Sequence, residues 1–361
     1  MGEKTIHVDY LIIGGGIAGC TLALELDRLN QSFLIIDNQF AASSSRVAAG
    51  LLSPMVPRNV RKTWMSDQLF PHVFEYYQQF ELLWNTSLID KINTLQIHKN
   101  LRQVHNWTIR AGEPGFENYL NINAPELPDC MKPLNFDCIE VLQTGRLNVQ
   151  KFIELTKKTF SDSYMIDEFD HTELKQQESS WNYRGTEFKA VVFAEGIGIL
   201  NNPYFKFLPF NPSGGDILKV KIDDIPTTHI LKKKEWILPI GTNEWLAGST
   251  YHPNDLNTTP LESDAKWLKE ELESWIGQPI EILKHYRGVR PTVAERKPYI
   301  GEHPVLKGLF VYNGLGSKGS SLVSYFSPLL AQHLINNESM PEEVEILKYY
   351  QTHHSESSDV C

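Results

Sequence analysis

The stretch HVDYLIIGGGIAG, residues 7–19, decides the fold of this chain. Residues 7–13 are mostly apolar and rich in residues that favour strands, which predicts a parallel strand buried on both faces. The next residues place Gly14, Gly16 and Gly19 in the spacing G-x-G-x-x-G. The following run CTLALELDRL has Leu22, Leu26 and Leu29 on one face of a helix. A second apolar run ends at Asp37, so these residues predict one βαβ unit.

The glycine spacing predicts a dinucleotide-binding turn. The first glycine permits a tight turn, the second lets backbone N–H groups approach a diphosphate, and the third lets helix and strand pack closely. An incidental glycine-rich turn is the alternative, but the flanking strand and helix and the acid after the second strand favour a nucleotide. Asp37 would accept hydrogen bonds from ribose hydroxyls; otherwise it is a solvated acid at a strand end.

Bulk composition narrows the class of protein. The 361 residues predict two domains. No apolar run is long enough for a membrane span, and the polar N-terminus argues against a signal peptide. The four cysteines form no C-x-x-C pair, so no metal site or disulfide is predicted, and a cytoplasmic location is expected. A net charge of −10 disfavours nucleic acid as a partner.

The order of the later segments favours FAD over NAD as the dinucleotide. An NAD enzyme usually continues with further βαβ units after its first acid, whereas this chain inserts a Ser/Ala/Gly loop at residues 43–52. Its next strand of the dinucleotide fold is expected only at residues 188–193. A second glycine loop at residues 314–319 precedes a helix, whose N-terminus can stabilise negative charge on a reduced flavin. A simple strand-to-helix turn is the alternative for that loop.

Six segments carry a family resemblance: IIGGGIAG (12–19), SSSRVAAGLLSP (43–54), WILP (236–239), GST (248–250), GVRPTVAERKPYIGEHP (288–304) and GLGSKG (314–319). With them the chain resembles the D-amino-acid-oxidase (DAO) superfamily of FAD enzymes. Within that superfamily it is similar to glycine oxidase and to the FAD oxidase domain of the bifunctional tRNA wobble-uridine modification enzyme. Residues 86–144 carry almost none of the resemblance.

The resemblance implies a fold and a division of the chain. It implies an α/β protein in which a Rossmann-like, glutathione-reductase-type FAD domain is interleaved with an α+β substrate domain containing a mixed or antiparallel sheet. We expect the FAD domain at residues 1–85, 145–205 and 286–345 and the substrate domain at 86–144 and 206–285. Residues 346–361 are expected to form a polar tail. The oligomeric state carries no prediction.

The resemblance also implies which residues hold a non-covalent FAD. Those expected at the nucleotide and diphosphate end are Gly14, Gly16, Ile17, Ala18, Gly19, Asp37, Asn38, Phe169, Ala194 and Gly196. Those expected along the ribityl chain and the flavin ring are Ser44, Ser45, Arg46, Ala49, Gly50, Leu51, Gly314, Leu315, Gly316, Ser317, Lys318 and Gly319.

Four residues are implied at the catalytic end. Arg290 matches an arginine that binds a substrate carboxylate. A guanidinium suits this role because its planar fork of donors can bind both carboxylate oxygens. An intra-protein salt bridge of Arg290 is the alternative. Trp236 matches an aromatic wall of the substrate pocket, or is a core tryptophan. Ser317 stands where glycine oxidase has a second arginine, and Lys318 fits better with the tRNA-modifying relative. Glu195 also departs from a segment that is usually small and neutral.

These residues predict an FAD-dependent oxidase or dehydrogenase that oxidises a C–N bond of a small amine or amino acid. The hydride would pass to flavin N5, and oxygen or another electron acceptor would reoxidise the flavin. The alternative is a flavin-dependent oxidase acting on a modified wobble uridine of tRNA.

Overall fold

A computed structural model describes residues 6–128, 131, 137–223, 225 and 227–358. The α-helices of this described part are α1 (Ile17–Arg28), α2 (Ser44–Val47), α3 (Ser66–Leu69), α4 (Val73–Trp84), α5 (Leu101–Ala111), α6 (Val149–Thr159), α7 (Glu262–Ile276), α8 (Gly319–Asn336) and α9 (Leu347–Ser358). None of these helices is both long and apolar enough to cross a membrane.

The strands fall into two large sheets and two small ones. In chain order they are β1 (Ile6–Ile13), β2 (Phe33–Asp37), β3 (Leu51–Leu52), β4 (Met55–Val56), β5 (Arg61–Lys62), β6 (Ile89–Lys91), β7 (Thr94–His98), β8 (Leu120–Asn121), β9 (Asp137–Val141), β10 (Gly145–Leu147), β11 (Tyr164–Ile166), β12 (Leu174–Gln176), β13 (Trp181–Tyr183), β14 (Thr186–Phe193), β15 (Ser213–Lys221), β16 (Ile230–Lys232), β17 (Trp236–Gly241), β18 (Glu244–Gly248), β19 (His252–Pro253), β20 (Glu281–Arg290), β21 (Tyr299–Glu302) and β22 (Leu309–Asn313).

The chain divides into two compact units. Unit 1 contains the described residues of Met1–Arg46, Val149–Ser213 and Val289–Cys361, and unit 2 contains those of Val47–Asn148 and Gly214–Gly288.

The main sheet of unit 1 has the parallel core predicted from the sequence. Its strand order is β11-β2-β1-β14-β13-β12, and β22 pairs with the second half of β14 and with β21. Strands β11, β2, β1, β14 and β22 run parallel, with Ile13 in register with Ile36 and Phe193. The βαβ unit of residues 6–37 therefore lies at the centre of this sheet.

Both faces of β1 are buried because its side chains alternate between two cores. Ile12 points toward α1, and the Tyr10 hydroxyl donates to the Leu334 carbonyl of α8 at 3.1 Å. Leu11 and Ile13 face a second core that is rich in aromatic rings. A strand with two buried faces needs continuous hydrophobicity, which explains the unbroken apolar run in the sequence.

Helices α1 and α8 pack together, and a chain of hydroxyls links them to the sheet. The Tyr312 hydroxyl of β22 lies 2.9 Å from Ser327 Oγ of α8, which donates to Thr21 Oγ1 of α1 at 2.8 Å. All three residues are fully buried, so each hydroxyl needs a partner inside the protein.

Unit 2 is built on a mixed sheet in the order β19-β15-β18-β17-β16-β7-β9-β8, with β20 also paired to β15. Strands β16 and β7 are parallel, and β15, β18, β17 and β16 form antiparallel neighbours. Helix α7 covers one face through Leu268, Leu272 and Trp275. The opposite face carries a smaller apolar cluster of Ala49, Ile217, Ile230, Trp236 and Leu238.

The division of the chain differs from the sequence-based one at several boundaries. Residues 47–85 and 145–148 group with unit 2, because β3 pairs with β10, which in turn pairs with β6. Residues 206–213 group with unit 1 instead, and residues 286–288, expected in the FAD domain, group with unit 2. Residues 347–358 were expected in a polar tail but form α9, because Tyr349 and Tyr350 pack against the aromatic core of unit 1.

Candidate cofactor site

The turn between β1 and α1 is so tight that its glycines have no room for side chains. Gly14 has φ +104°, and a Cβ there would lie 2.8 Å from the carbonyl carbon of Ala194. A Cβ on Gly15 would lie 2.7 Å from the Tyr164 ring, and one on Gly19 would overlap the Gly14 carbonyl. The reasons given for Gly14 and Gly19 from the sequence thus match the geometry of the turn.

Two helices begin side by side at this turn. A Cβ on Gly319, the first residue of α8, would lie 3.4 Å from Ile17 Cγ2 at the start of α1. Neither helix has an acidic residue in its first turn, and neither cap residue, Gly16 or Lys318, makes a side-chain capping bond. Two helix N-termini without acidic residues in their first turns give this corner a positive potential suited to an anion such as a diphosphate.

The segment after β2 contributes Ser45, Arg46 and Asp37 to the same corner. Ser45 Oγ accepts a hydrogen bond from the Ile17 N–H at 3.1 Å, and lies where a Cβ on Gly16 would approach it. Arg46 forms an ion pair of 3.0 Å with Asp37 Oδ2, which also accepts the Tyr164 hydroxyl at 2.8 Å. Both contacts use the same carboxylate oxygen.

Tyr164 is a residue of this corner that sequence reasoning missed. Burial and the neighbouring Asp37 carboxylate raise the pKa of Tyr164, so its hydroxyl remains a donor. Its position follows from the parallel register of β11 with β2, in which Ile166 is level with Asp37. No local sequence motif indicates that β11 pairs with β2.

Residues 194–196 and 314–319 meet through another residue that was not predicted, Asn313. Asn313 Nδ2 donates to the Gly196 carbonyl at 2.9 Å, and its Oδ1 accepts the Gly314 N–H at 2.8 Å. Gly196, Gly314 and Gly316 all have positive φ values of 55–77°, which favour glycine. The strand end of β14 and the second glycine loop are therefore joined by one side chain.

Glu195, the departure from the expected neutral segment, has a structural explanation. Its carboxylate accepts Asn202 Nδ2 at 2.8 Å and lies 3.1 Å from His171 Nε2. The His171 ring stacks on Phe193 and meets the edge of Phe169. Phe169 stacks on Tyr183 and lines an open depression of about 610 Å³. Glu195 thus supports the segment around Phe169.

Arg290 and the glycine loop lie close together in unit 1. Arg290 is the last residue of β20, and its carbonyl accepts the Thr292 N–H at 2.9 Å. A Cβ on Gly316 would lie 3.4 Å from Thr292 Cγ2. In that loop Ser317 is exposed, whereas Lys318 is half-buried and precedes the first turn of α8. Asn38 is exposed at the end of β2.

The predicted flavin residues Ala49, Gly50 and Leu51 belong to unit 2, where they lie with Trp236. Ala49 is in the apolar cluster with Trp236, and Leu51 packs against that cluster. Gly50 has φ +74° and its carbonyl accepts the Leu147 N–H at 2.9 Å. A Cβ on Gly50 would overlap the Leu147 carbonyl, so there is no space for a side chain. The Trp236 indole is 7% exposed and packs on Gly248, so it contributes to the core of this sheet face.

A buried charge network in unit 2 was not predicted at all. The Arg287 guanidinium is fully buried and forms ion pairs with Asp216, Asp255 and Asp264. His252 and His285 approach Asp264 and Asp216 at 2.5 and 2.6 Å. Asp216, His252 and Asp264 are close enough to share a cation, but the Arg287 guanidinium already forms an ion pair with each of the two carboxylates.

The parallel sheet, the glycine turn and the paired helix N-termini define a dinucleotide-binding protein. The family model DAO, FAD dependent oxidoreductase, matches residues 9–333, and the chain belongs to this family. It is an FAD-dependent oxidoreductase.

Named proteins with similar sequences and structures support this assignment. The chain is 31% identical to glycine oxidase of Bacillus subtilis (strain 168) over 150 residues, an alignment that spans 39% of this chain and only 40% of that enzyme. It is 23% identical to glycine oxidase of Geobacillus kaustophilus (strain HTA426) over 357 residues, 92% of this chain and 94% of that enzyme. The crystal structure of glycine oxidase from Geobacillus kaustophilus matches with a TM-score of 0.74 at 19% identity, covering 94% and 98% of the two chains.

Proposed function

We propose that this protein oxidises a C–N bond of a small amine or amino acid. The observation that carries the proposal is the match with a glycine oxidase over 94% of that enzyme's length, which includes the segment around Arg290. Bound FAD supplies the hydride acceptor for such a reaction.

The residues of unit 1 would hold FAD by complementary charge. The start of α1 would face the diphosphate, which the narrow turn at Gly14 would let the backbone approach, and the N-terminus of α8 would stabilise negative charge on the reduced flavin. Asp37, already oriented by Arg46 and Tyr164, would accept from the ribose hydroxyls.

We further propose that FAD is bound without a covalent link. The described cysteines are unsuited to forming one: Cys20 is buried within α1, where burial raises the pKa of its thiol, and Cys138 lies on β9 of unit 2. Cys130 and Cys361 lie outside the described residues. Acid precipitation of the holoenzyme is expected to release all of the flavin into the supernatant, and flavin that stays with the pellet would contradict this proposal.

Arg290 would bind the substrate carboxylate. A guanidinium can donate two parallel hydrogen bonds to a carboxylate and so fix its orientation. Its position at the end of β20, two residues before Thr292 at the glycine loop, supports this role. Because Ser317 stands in place of a second arginine, we expect weaker binding of simple amino acids than in glycine oxidase.

The test is a screen of amines and of both series of amino acids for bleaching of the flavin without oxygen. For a substrate found in this way, Arg290→Ala is expected to raise KM at least tenfold while the flavin remains bound. The control is Arg102→Ala, which removes an exposed arginine of α5. An unchanged KM in Arg290→Ala would remove its assigned role, and the absence of bleaching by every candidate would refute the function.

A modified tRNA uridine is the second candidate substrate, and Lys318 in the loop before α8 is the observation that favours it. The net charge of −10 opposes binding of a polyanion. A salt-sensitive gel shift with tRNA would support this candidate, and no shift at low ionic strength would exclude it.

A further inference from the structure

Helix α9 packs against the start of β21 within unit 1. The ring of Tyr349 on α9 meets the Tyr299 ring edge-on, with 4.9 Å between the centroids and an angle of 66°. Tyr299 is the first residue of β21 and is 2% exposed, and its hydroxyl donates to the Pro209 carbonyl at 3.0 Å. The helix itself lies beyond the residues that the family model matches, so this contact is a feature of this chain.

An ion pair accompanies the aromatic contact. Lys348 Nζ lies 3.0 Å from Glu295 Oε2, and both side chains are about half exposed. The Lys348 ammonium and the Tyr349 hydroxyl hold the pKa of Glu295 below its usual range. Exposed ion pairs contribute little to stability, so the packing of Tyr349 on Tyr299 is the main contact between α9 and this part of unit 1.

Tyr299 connects α9 to the second glycine loop. In the antiparallel register of β21 with β22, Tyr299 is opposite Asn313, whose side chain binds both Gly196 and Gly314. A Cβ on Gly314 would lie 3.3 Å from Tyr299 N and 3.1 Å from Val293 Cγ1. Because these atoms are closely packed, a shift of Tyr299 would also move the loop that precedes α8.

We propose that α9 is a positioning element of the cofactor site, in which the Tyr349 ring holds Tyr299 against the second glycine loop and so fixes the N-terminus of α8. The inference rests on the proposed place of that N-terminus beside the flavin. The field of a helix N-terminus falls off within about one turn, so a displaced loop would stabilise negative charge on the reduced flavin less well. Loss of the Tyr349 ring is therefore expected to lower the reduction potential of the flavin.

The test is the reduction potential of the bound flavin in Tyr349→Ala, measured by stepwise reduction of the holoenzyme with dithionite in the presence of an indicator dye. The preference of the protein for reduced over oxidised flavin is expected to fall at least threefold, which for a two-electron couple is about 14 mV. A merely structural role would weaken the binding of both redox forms equally and leave the potential unchanged.

Two further variants serve as controls. Tyr349→Phe keeps the ring and is expected to retain the wild-type potential, as is Leu347→Ala, which changes an exposed residue of the same helix. The positioning role is refuted if Tyr349→Ala leaves the potential unchanged, or if either control variant lowers it equally. If Tyr349→Ala does not retain flavin, Tyr349→Leu leaves a smaller gap and is judged by the same criterion. Chemical reduction needs no amine substrate, so failure of this role and failure of the proposed oxidation are separate results.

Discussion

Replacing Gly14 with alanine tests the account of the cofactor turn most directly. Gly14 has φ +104°, a conformation that costs a residue with a side chain roughly 1–3 kcal/mol. The new Cβ would also lie 2.8 Å from the Ala194 carbonyl carbon, whereas carbon atoms in good contact are about 3.5–4.0 Å apart. Because the neighbour is backbone, relieving this overlap requires movement of the turn at a cost of roughly 1–3 kcal/mol.

The apoprotein can relieve this strain by moving the turn away from β14, but FAD binding requires the original position. The strain is thus subtracted from the binding free energy of FAD. Two kcal/mol, the lower end of the combined cost, weakens binding about 30-fold. Flavin fluorescence on titration of the apoprotein measures this dissociation constant.

The matched control is Gly185→Ala, because Gly185 has φ +84° in unit 1 with no atom within 4 Å of the added Cβ. The control variant carries the cost of the backbone conformation without the overlap. If both variants bind FAD as tightly as the wild type, the close approach of Gly14 to Ala194 has no part in holding the cofactor.

Three further predictions concern unit 2. Lys232→Met should stabilise the holoenzyme at pH 7 by about 1–2 kcal/mol, less than the ~3 kcal/mol equivalent to a fall in the pKa of Lys232 from 10.5 to about 8, because the side chain is partly exposed. The gain should shrink as pH rises above about 8, where the folded-state amine loses its proton, and disappear only above the unfolded-state pKa of 10.5, where the amine is neutral in both states. Lys175→Met, at an exposed position of β12, is the control in thermal denaturation. Arg287→Met should destabilise the fold by roughly 3–5 kcal/mol in chemical denaturation, because it leaves buried carboxylates uncompensated; a smaller loss would mean that they are protonated. Burial raises the pKa of Asp264, but the hydrogen bonds that its carboxylate accepts, from Thr250 among others, have the larger combined effect, so the pKa is below its usual value. The ionised Asp264 therefore stabilises the fold at neutral pH, and this contribution is lost as pH falls below about 4. Asp264→Asn should flatten the acid side of the stability profile, and an unchanged profile would contradict this.

Short-range patterns predicted the central part of unit 1. The βαβ unit at residues 6–37 and the strand-to-helix loop at 314–319 are local in sequence, and each needs glycines that are visible in the sequence. The same reasoning found Asp37, because the acid ends a strand that follows directly. The roles of Arg290 and Trp236 in the reaction stay predictions.

Contacts between distant segments could not be predicted. Arg287 binds carboxylates 23 to 71 residues away, and the residues around each of them carry no motif. The grouping of Ala49 and Gly50 with unit 2 depends on a pairing with Leu147, nearly one hundred residues later. Pairings of this kind depend on the register of whole strands, and a local sequence pattern does not predict that register.

The hydroxyl chain from Thr21 to Ser327 has a consequence for synthesis of the protein. The helices that it joins lie about three hundred residues apart, and the chain passes between the two units four times along the way. A ribosome adds on the order of 10 residues per second, so α8 is synthesised roughly half a minute after α1. During that time one apolar side of the first βαβ unit remains uncovered. The nascent chain is therefore exposed to aggregation before it can take up its flavin.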